Sequence, residues 1–212
     1  MKLKGISEKL MRHTRKPEGS WGKLVGEIMG KAHVKVTEWG LTKVNIKSHE
    51  IILEIGCGAG YNINNLAKNI INGKIFGIDY SEAMVDLANE INKEYIQTGL
   101  VDIKYANVSS LPFKDNMFDL VLGIETVNFW PEIINDLKEI YRVIKPNGRL
   151  LLINNSYKHK AFKKRNAQWK TLTDFSLYKP QKFRKFFVKA GFIKIEVFEV
   201  VEKNWIAVLG FK

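Results

Sequence analysis

A carboxylate, Glu54, stands near the end of an apolar run, Ile51-Ile52-Leu53-Glu54-Ile55, and three glycines follow at alternate positions, Gly56, Gly58 and Gly60. Glycines so spaced let the backbone turn sharply and approach a ligand closely, because no side chain intervenes. The carboxylate selects the ligand: it repels a pyrophosphate and attracts an ammonium group. The spacing is G-x-G-x-G with Tyr61 next, whereas dinucleotide binders use G-x-G-x-x-G. This chemistry suits an adenosyl cofactor with an amino-acid tail, S-adenosylmethionine, in preference to NAD.

Asp79 lies 23 residues after Gly56, at the end of a second apolar run. A carboxylate there can accept both hydroxyl hydrogens of a ribose, as in other doubly wound nucleoside sites; a loop carboxylate or a helix cap is the competing role. Tyr80 either lies on an adenine ring or is a surface aromatic. Farther on, Gly123-Ile124-Glu125-Thr126-Val127-Asn128-Phe129-Trp130-Pro131 leaves a very apolar stretch. Ligands of open parallel sheets lie beyond the carboxyl ends of the strands, so this segment is expected to floor the reaction site. Glu125 is then a candidate base or nucleophile-orienting group, with helix capping as its alternative. Phe129 and Trp130 either wall a substrate and face a sulfonium, or pack in the core. His33 is the one histidine nominated as a base, against a solvent-facing role.

These residues need a scaffold that puts strand ends side by side. Apolar runs predict strands over about 51–55, 74–79, 102–107, 118–123 and 149–154. Helices are expected between them over about 60–71, 81–96 and 131–144, with Ser81 as an N-cap and Glu82 at the positive end of its helix. Pro146-Asn147-Gly148 reads as a turn. A helix over about 180–190 ends at Gly191, and strands over about 192–200 and 205–211 form an antiparallel hairpin. Strand–helix alternation of this kind predicts an α/β fold with a mostly parallel sheet and helices on both faces. Residues 1–48 read as an N-terminal helical lid, with Gly19, Trp21, Gly26, Met29, His33 and Trp39 facing the site, and 49–212 as the main domain of a single-domain protein.

Composition bounds the reading. The 212 residues suffice for one large domain, and 45% of them are hydrophobic, as in ordinary globular proteins. No apolar run approaches the roughly 20 residues of a membrane helix, and no export signal is evident. A single cysteine, Cys57, rules out an internal disulfide and suits a reducing cytoplasm. The four histidines are scattered, so no metal is expected. The net charge of +12 is uneven: +7 over residues 1–49, −5 over 50–157 and +10 over 158–212. Basic flanks suit an anionic partner; a compositional bias with a solvated lysine surface explains them equally well.

The segment Asn107-Val108-Ser109-Ser110-Leu111-Pro112-Phe113, continued by Asp115-Asn116-Met117-Phe118-Asp119, and the turn Ile144-Lys145-Pro146-Asn147-Gly148 complete an ordered set with Glu54–Gly60 and Asp79. Over about residues 50–155 this set resembles the class I S-adenosylmethionine-dependent methyltransferases, in the branch related to quinone C-methyltransferases. In that family a glycine loop, an acid after the second strand, a D-A-x-x-L-P-F-x-D-x-x-F-D segment and an L-K-P-G-G turn recur in this order. The resemblance implies a Rossmann-like doubly wound sheet with an antiparallel C-terminal strand. It implies that Gly56 and Gly58 bring backbone against the methionine part, with Cys57 and Gly60 also in the cofactor site, that Glu54 holds its amine directly or through water, and that Asp79 binds the ribose. Tyr80, Met84 and Ile124 join the cofactor site, and Val108 offers its backbone N–H to the adenine. Asn107 stands where the family usually has Asp, so the adenine amino group meets a neutral acceptor. Asn147 replaces a glycine of the turn, which Asn tolerates because it also adopts positive φ.

The expected reaction is attack of a substrate nucleophile on the activated methyl, releasing S-adenosylhomocysteine without a metal. The first reading of the acceptor is a small, anionic molecule, enclosed by Phe129, Trp130, Trp169 and Phe175. An RNA acceptor held by Lys158, Lys160, Lys163, Lys164 and Arg165 is the second, and a non-catalytic cofactor-binding protein the third. Nothing in the sequence sets an oligomeric state.

Overall fold

A computed structural model describes residues 33–172 and 175–212 of the chain. Five strands run parallel: β1 (Ile51–Ile55), β2 (Lys74–Asp79), β3 (Val101–Tyr105), β4 (Phe118–Ile124) and β5 (Ile144–Asn154). Two more, β6 (Ile193–Val200) and β7 (Trp205–Phe211), form an antiparallel hairpin, and β7 pairs antiparallel with β5. The seven-stranded sheet has the order β3-β2-β1-β4-β5-β7-β6. The chain reverses its winding direction between β1 and β4, and that is where an open sheet of this kind leaves a crevice at its carboxyl edge.

Among the described residues, helix α1 covers 33–41, α2 Tyr61–Ala67, α3 Glu82–Ile91, α4 Lys93–Gln97, α5 Ile133–Val143, α6 Lys163–Leu172 and α7 Pro180–Ala190. They cover both faces. Leu53, Ile55, Val121, Leu150 and Leu152 meet Leu137 and Ile140 of α5 and Phe183 and Phe187 of α7. Ile52, Leu120, Leu122 and Leu151 meet Val36 of α1, Ile63 and Leu66 of α2 and Ala88 of α3. Successive strand residues point to opposite faces, so β4, with Leu120, Val121 and Leu122 all fully buried, is the spine of both cores. Each such side chain contributes roughly 1.5–3 kcal/mol on burial.

The sequence expectations meet the structure closely at β1, β2, α7 and the hairpin. Proline opens α7, and Gly191, at φ +105°, closes it. Three boundaries differ for local reasons. The helix expected to reach 71 stops at Ala67, because the chain must then pass Gly73 against the backbone of Glu50, where a Cβ would lie 2.2 Å from the carbonyl oxygen. The helix expected over 81–96 breaks at Asn92, whose side-chain amide donates to the carbonyls of Gly60 and Ala88. The turn at 146–148 exists, with Asn147 at φ +67°, but it bulges out of β5, which already begins at Ile144. The lid reading for residues 1–48 falls mostly outside the described residues. Its described part, α1, lies on the sheet through Val36, and Trp39 stacks 5.9 Å from Trp205 at the start of β7.

Candidate functional site

The loop after β1 folds over the end of β2. The N–H groups of Gly56 and Cys57 both donate to Ile78 O, at 2.8 and 3.0 Å. Gly56, Gly58 and Gly60 have φ of +67°, +52° and +76°, a region costly for any residue with a Cβ. Their surroundings differ. A Cβ on Gly56 would sit 2.5 Å from Thr126 Oγ1, and one on Gly60 would press on Asn92 and Ala88 of the α3 end. A Cβ on Gly58 would meet nothing within 4 Å. Gly56 and Gly60 are therefore needed for packing, and the open face of the loop is at Gly58.

Asp79, at the end of β2, ties this loop down. Its Oδ2 accepts the N–H of Gly58 at 2.9 Å and its Oδ1 that of Ser81 at 2.9 Å. Ser81 in turn caps α3, accepting the N–H of Met84. Burial raises the pKa of Asp79, opposed by these hydrogen bonds. Glu54 is 3% exposed and accepts one bond from Asn62 Nδ2 at 3.1 Å. Burial, together with the charge of Asp79, pushes its carboxyl up to about 8. No Lys, Arg or His among the described residues pairs with either carboxylate. Two buried acids without a cation form a site that a positively charged ligand group would stabilise.

Beside them is a cavity of about 280 Å³, lined by Ile55, Gly56, Ile78, Asp79, Tyr80, Ala106, Asn107, Val108, Thr126, Phe129, Trp130 and Pro131. Its lining combines the acceptors of Asp79 and Asn107 with the apolar and aromatic side chains of Ile55, Ile78, Phe129 and Trp130, which suits a heteroaromatic group. Asn107 Oδ1 accepts the N–H of Ser109, which fixes the orientation of the amide. Trp130 Nε1 donates to Thr126 Oγ1 at 3.2 Å, and Phe129 meets Phe175 edge-on at 5.2 Å. Phe129 and Trp130 thus border the same cavity as Asp79 and Asn107, and Trp130 also packs in the core, the alternative the sequence leaves open for both.

The remaining nominated residues separate by role. Cys57 turns its thiol into the core, where burial raises its pKa, so only its backbone belongs to the loop. Met84 is 2% exposed and packs with Ala59 and Leu87 under the glycine loop. Ile124 packs against the core at the end of β4. Glu125, with φ +57°, accepts the N–H of Asn155 in a short hydrogen bond. Desolvation lifts its carboxyl to about 8, while that bond and the charge of Arg165 act the other way. His33 is partly buried, which lowers its pKa. It forms no hydrogen bond or ion pair with a site residue among those described. Gly19, Trp21, Gly26 and Met29, and the side chain of Trp169, lie outside the described residues. Sequence reasoning missed Asn62, Asn155 and Arg165 as neighbours of the acids, and Thr126 as a neighbour of Gly56. Only the fold brings them there.

Residues 53–152 match the family model described as a methyltransferase domain. The chain is 34% identical over 131 residues to a demethylmenaquinone methyltransferase of Lactiplantibacillus plantarum, covering 61% of this chain and 55% of that protein. It is 28% identical over 155 residues to the enzyme of the same name from a Geobacillus strain, covering 71% and 62%. The chain therefore spans somewhat more than half the length of these curated relatives. A crystal structure of an S-adenosylmethionine-dependent methyltransferase from Aquifex aeolicus superposes with a TM-score of 0.65 at 24% identity, covering 82% of this chain and 88% of that one.

Proposed function

We propose that the chain, whose residues 53–152 match a methyltransferase domain, is a class I S-adenosylmethionine-dependent methyltransferase of the quinone C-methyltransferase-like kind, and that it transfers a methyl group to a small, anionic acceptor. The observation that carries the cofactor half of this reading is the pair of buried acids, Glu54 and Asp79, beside a glycine loop that is open at Gly58. The residues present fit the cofactor. Glu54 would take its ammonium group, Gly58 would admit its amino-acid tail, and Asp79 would accept from its ribose. Tyr80, Asn107 and Val108 would hold its adenine in the cavity. S-adenosylmethionine supplies a methyl group already activated on a sulfonium.

The protein's own contribution is alignment and exclusion of water. Thr126, held between Gly56 and Trp130, fixes the floor between cofactor loop and acceptor. Glu125 is the proposed proton acceptor at the strand end. Among the described residues no group of three or more His, Cys, Asp or Glu is placed to hold a metal, and the proposed reaction uses none. Likewise no described helix is long and apolar enough to cross a membrane. The relatives' printed names support a small ring acceptor over RNA, though Lys158, Lys160, Lys163 and Lys164 are largely exposed.

The test is incubation with methyl-labelled S-adenosylmethionine and, separately, a set of phenolic and enolic acids and total RNA. Label in a small organic acid with stoichiometric S-adenosylhomocysteine is expected. Label in RNA would replace the acceptor reading, and tight cofactor binding with no transfer to any fraction would favour a non-catalytic role.

A further inference from the structure

Outside the matched domain, α6 brings a guanidinium to the ends of β4 and β5. Arg165 Nη2 donates to Asn155 O at 3.4 Å, while the N–H of Asn155 goes to Glu125, so a single residue of backbone is gripped from both sides. The guanidinium lies 4.6 Å from the Phe162 ring centroid, within cation–π range. Its Nε is buried and has no hydrogen-bond partner among the described residues. A guanidinium carries five N–H donors, and one long bond to a carbonyl leaves most of that capacity unused.

Two buried amides, one in the turn after β4 and one at the end of β5, share the condition. Asn128 is 1% exposed and Asn154 fully buried, and among the described residues neither the nitrogen nor the oxygen of either side chain has a partner. Asn128 sits in the turn Val127–Phe129, between the cavity-lining Thr126 and Phe129. Asn154 ends β5, immediately before the residue that Glu125 and Arg165 hold. Buried polar groups in native structures are almost always paired. A set of unpaired ones around two strand ends, at the edge where ligands of this fold lie, is matched by a ligand rich in oxygen.

We propose that Arg165 is the acceptor-binding residue, taking an anionic oxygen of a small organic acid (a carboxylate, enolate or phenolate), with Asn128 and Asn154 pairing its neighbouring oxygens. This rests on the methyl-transfer reading and names its acceptor class. Glu125 does not oppose an anion at neutral pH, because its carboxyl, lifted to about 8, is then mainly protonated. Arg165 also explains how acceptor choice can vary on a common cofactor domain: it comes from the segment after residue 152, where the matched domain ends.

The test is side-chain NMR of the full chain with ¹⁵N-labelled arginine. The chain has six arginines, and the Arg165 Nε signal is identified by its loss in Arg165→Lys. The probes are 1-hydroxy-2-naphthoate and the matched neutral 1-naphthol, added to protein saturated with S-adenosylhomocysteine. The naphthoate is expected to shift the Arg165 signal saturably and to bind at least tenfold more weakly to Arg165→Gln. Arg184→Gln, on α7, is expected to leave that affinity unchanged. Naphthoate bound without moving the Arg165 signal, bound equally by Arg165→Gln, or not bound saturably at all would overturn the proposal. If Arg165→Gln does not fold, the wild-type signal alone decides. Parallel titration with S-adenosylmethionine separates the two readings: cofactor binding with naphthoate elsewhere sinks only the Arg165 assignment, and failure to bind cofactor sinks the methyl-transfer reading.

Discussion

Asp79 Oδ2 accepts the backbone N–H of Gly58, 21 positions earlier in the chain, at 2.9 Å. The carboxylate that would meet the ribose therefore also sets the shape of the loop that would meet the methionine. With its other oxygen on Ser81 N–H, it joins the glycine loop, β2 and the start of α3 in one hydrogen-bonded corner.

Removing that carboxylate strips partners from two backbone donors. Asp79→Ala is expected to cost about 2–3 kcal/mol of stability, since each bond to a charged acceptor contributes roughly 1.5–3 kcal/mol and desolvation of Asp79 offsets part of the sum. Affinity for S-adenosylmethionine is expected to fall at least a hundredfold. Urea unfolding and calorimetric titration measure the two effects, and an Asp79→Ala variant with normal affinity would contradict the assigned role.

The glycines of the loop are expected to fail differently. Gly56→Ala places a Cβ 2.5 Å from Thr126 Oγ1 at a positive φ, so it should lose roughly 3 kcal/mol or more through overpacking and strain together. Gly58→Ala meets nothing within 4 Å and should lose only about 1–2 kcal/mol, the cost of the left-handed backbone. Yet Gly58→Ala fills the face open to the ligand, so cofactor affinity should drop at least tenfold in a protein that still folds. Thermal melts with and without S-adenosylmethionine distinguish the two variants.

Glu54 gives the free protein a pH signature. Its folded pKa, about 8, lies above the usual 4.5 of an unfolded glutamate. The folded state then binds the extra proton between those values, so its contribution to stability is complete below about 4.5 and is lost as pH rises through about 8. Glu125, also raised to about 8, acts in the same direction. The cofactor-free protein should melt at a lower temperature at pH 8 than at pH 6. An ammonium group beside Glu54 favours its ionised form, so S-adenosylmethionine should narrow that difference and release protons to the buffer on binding near pH 7. Calorimetry in two buffers of different ionisation enthalpy detects the release.

Glu125 should show itself in the rate. If its carboxylate accepts a proton, kcat rises with pH towards a plateau above about 8. Glu125→Gln should lower kcat by tenfold or more and flatten that rise. A variant with unchanged pH dependence would leave Glu125 only its bond to Asn155.

Much of the architecture was legible because local signals agree with the global fold. The apolar run 51–55 meets its glycine turn in the sequence itself, and Pro180 and Gly191 mark both ends of α7. The parts not legible depend on long-range partners. Asn92 breaks a strongly patterned helix because Gly60, 32 positions away, supplies a carbonyl for its amide. Arg149 and Glu50 form a buried ion pair across 99 positions, which no spacing announces. The candidate cofactor residues Glu54, Asp79, Asn107 and Val108 could be nominated from the sequence, because each sits at or just beyond a strand end. The place of Arg165 beside Asn155 could not, since Arg165 looks like one more cation in a basic stretch until the fold sets its guanidinium against the Asn155 carbonyl. Cys57, nominated as a residue of the cofactor loop, keeps its backbone in that loop while its thiol points into the core.

The central claim is that Glu54 and Asp79 form a buried anionic site for the amine and ribose of an adenosyl amino-acid cofactor. Calorimetric titration of the wild-type chain and of Glu54→Gln with S-adenosylmethionine and with NAD tests it most directly. Micromolar binding of S-adenosylmethionine, weakened at least tenfold in Glu54→Gln, and no binding of NAD are the expected results. Tighter binding of NAD, or a Glu54→Gln variant that holds S-adenosylmethionine as well as the wild type does, would contradict it.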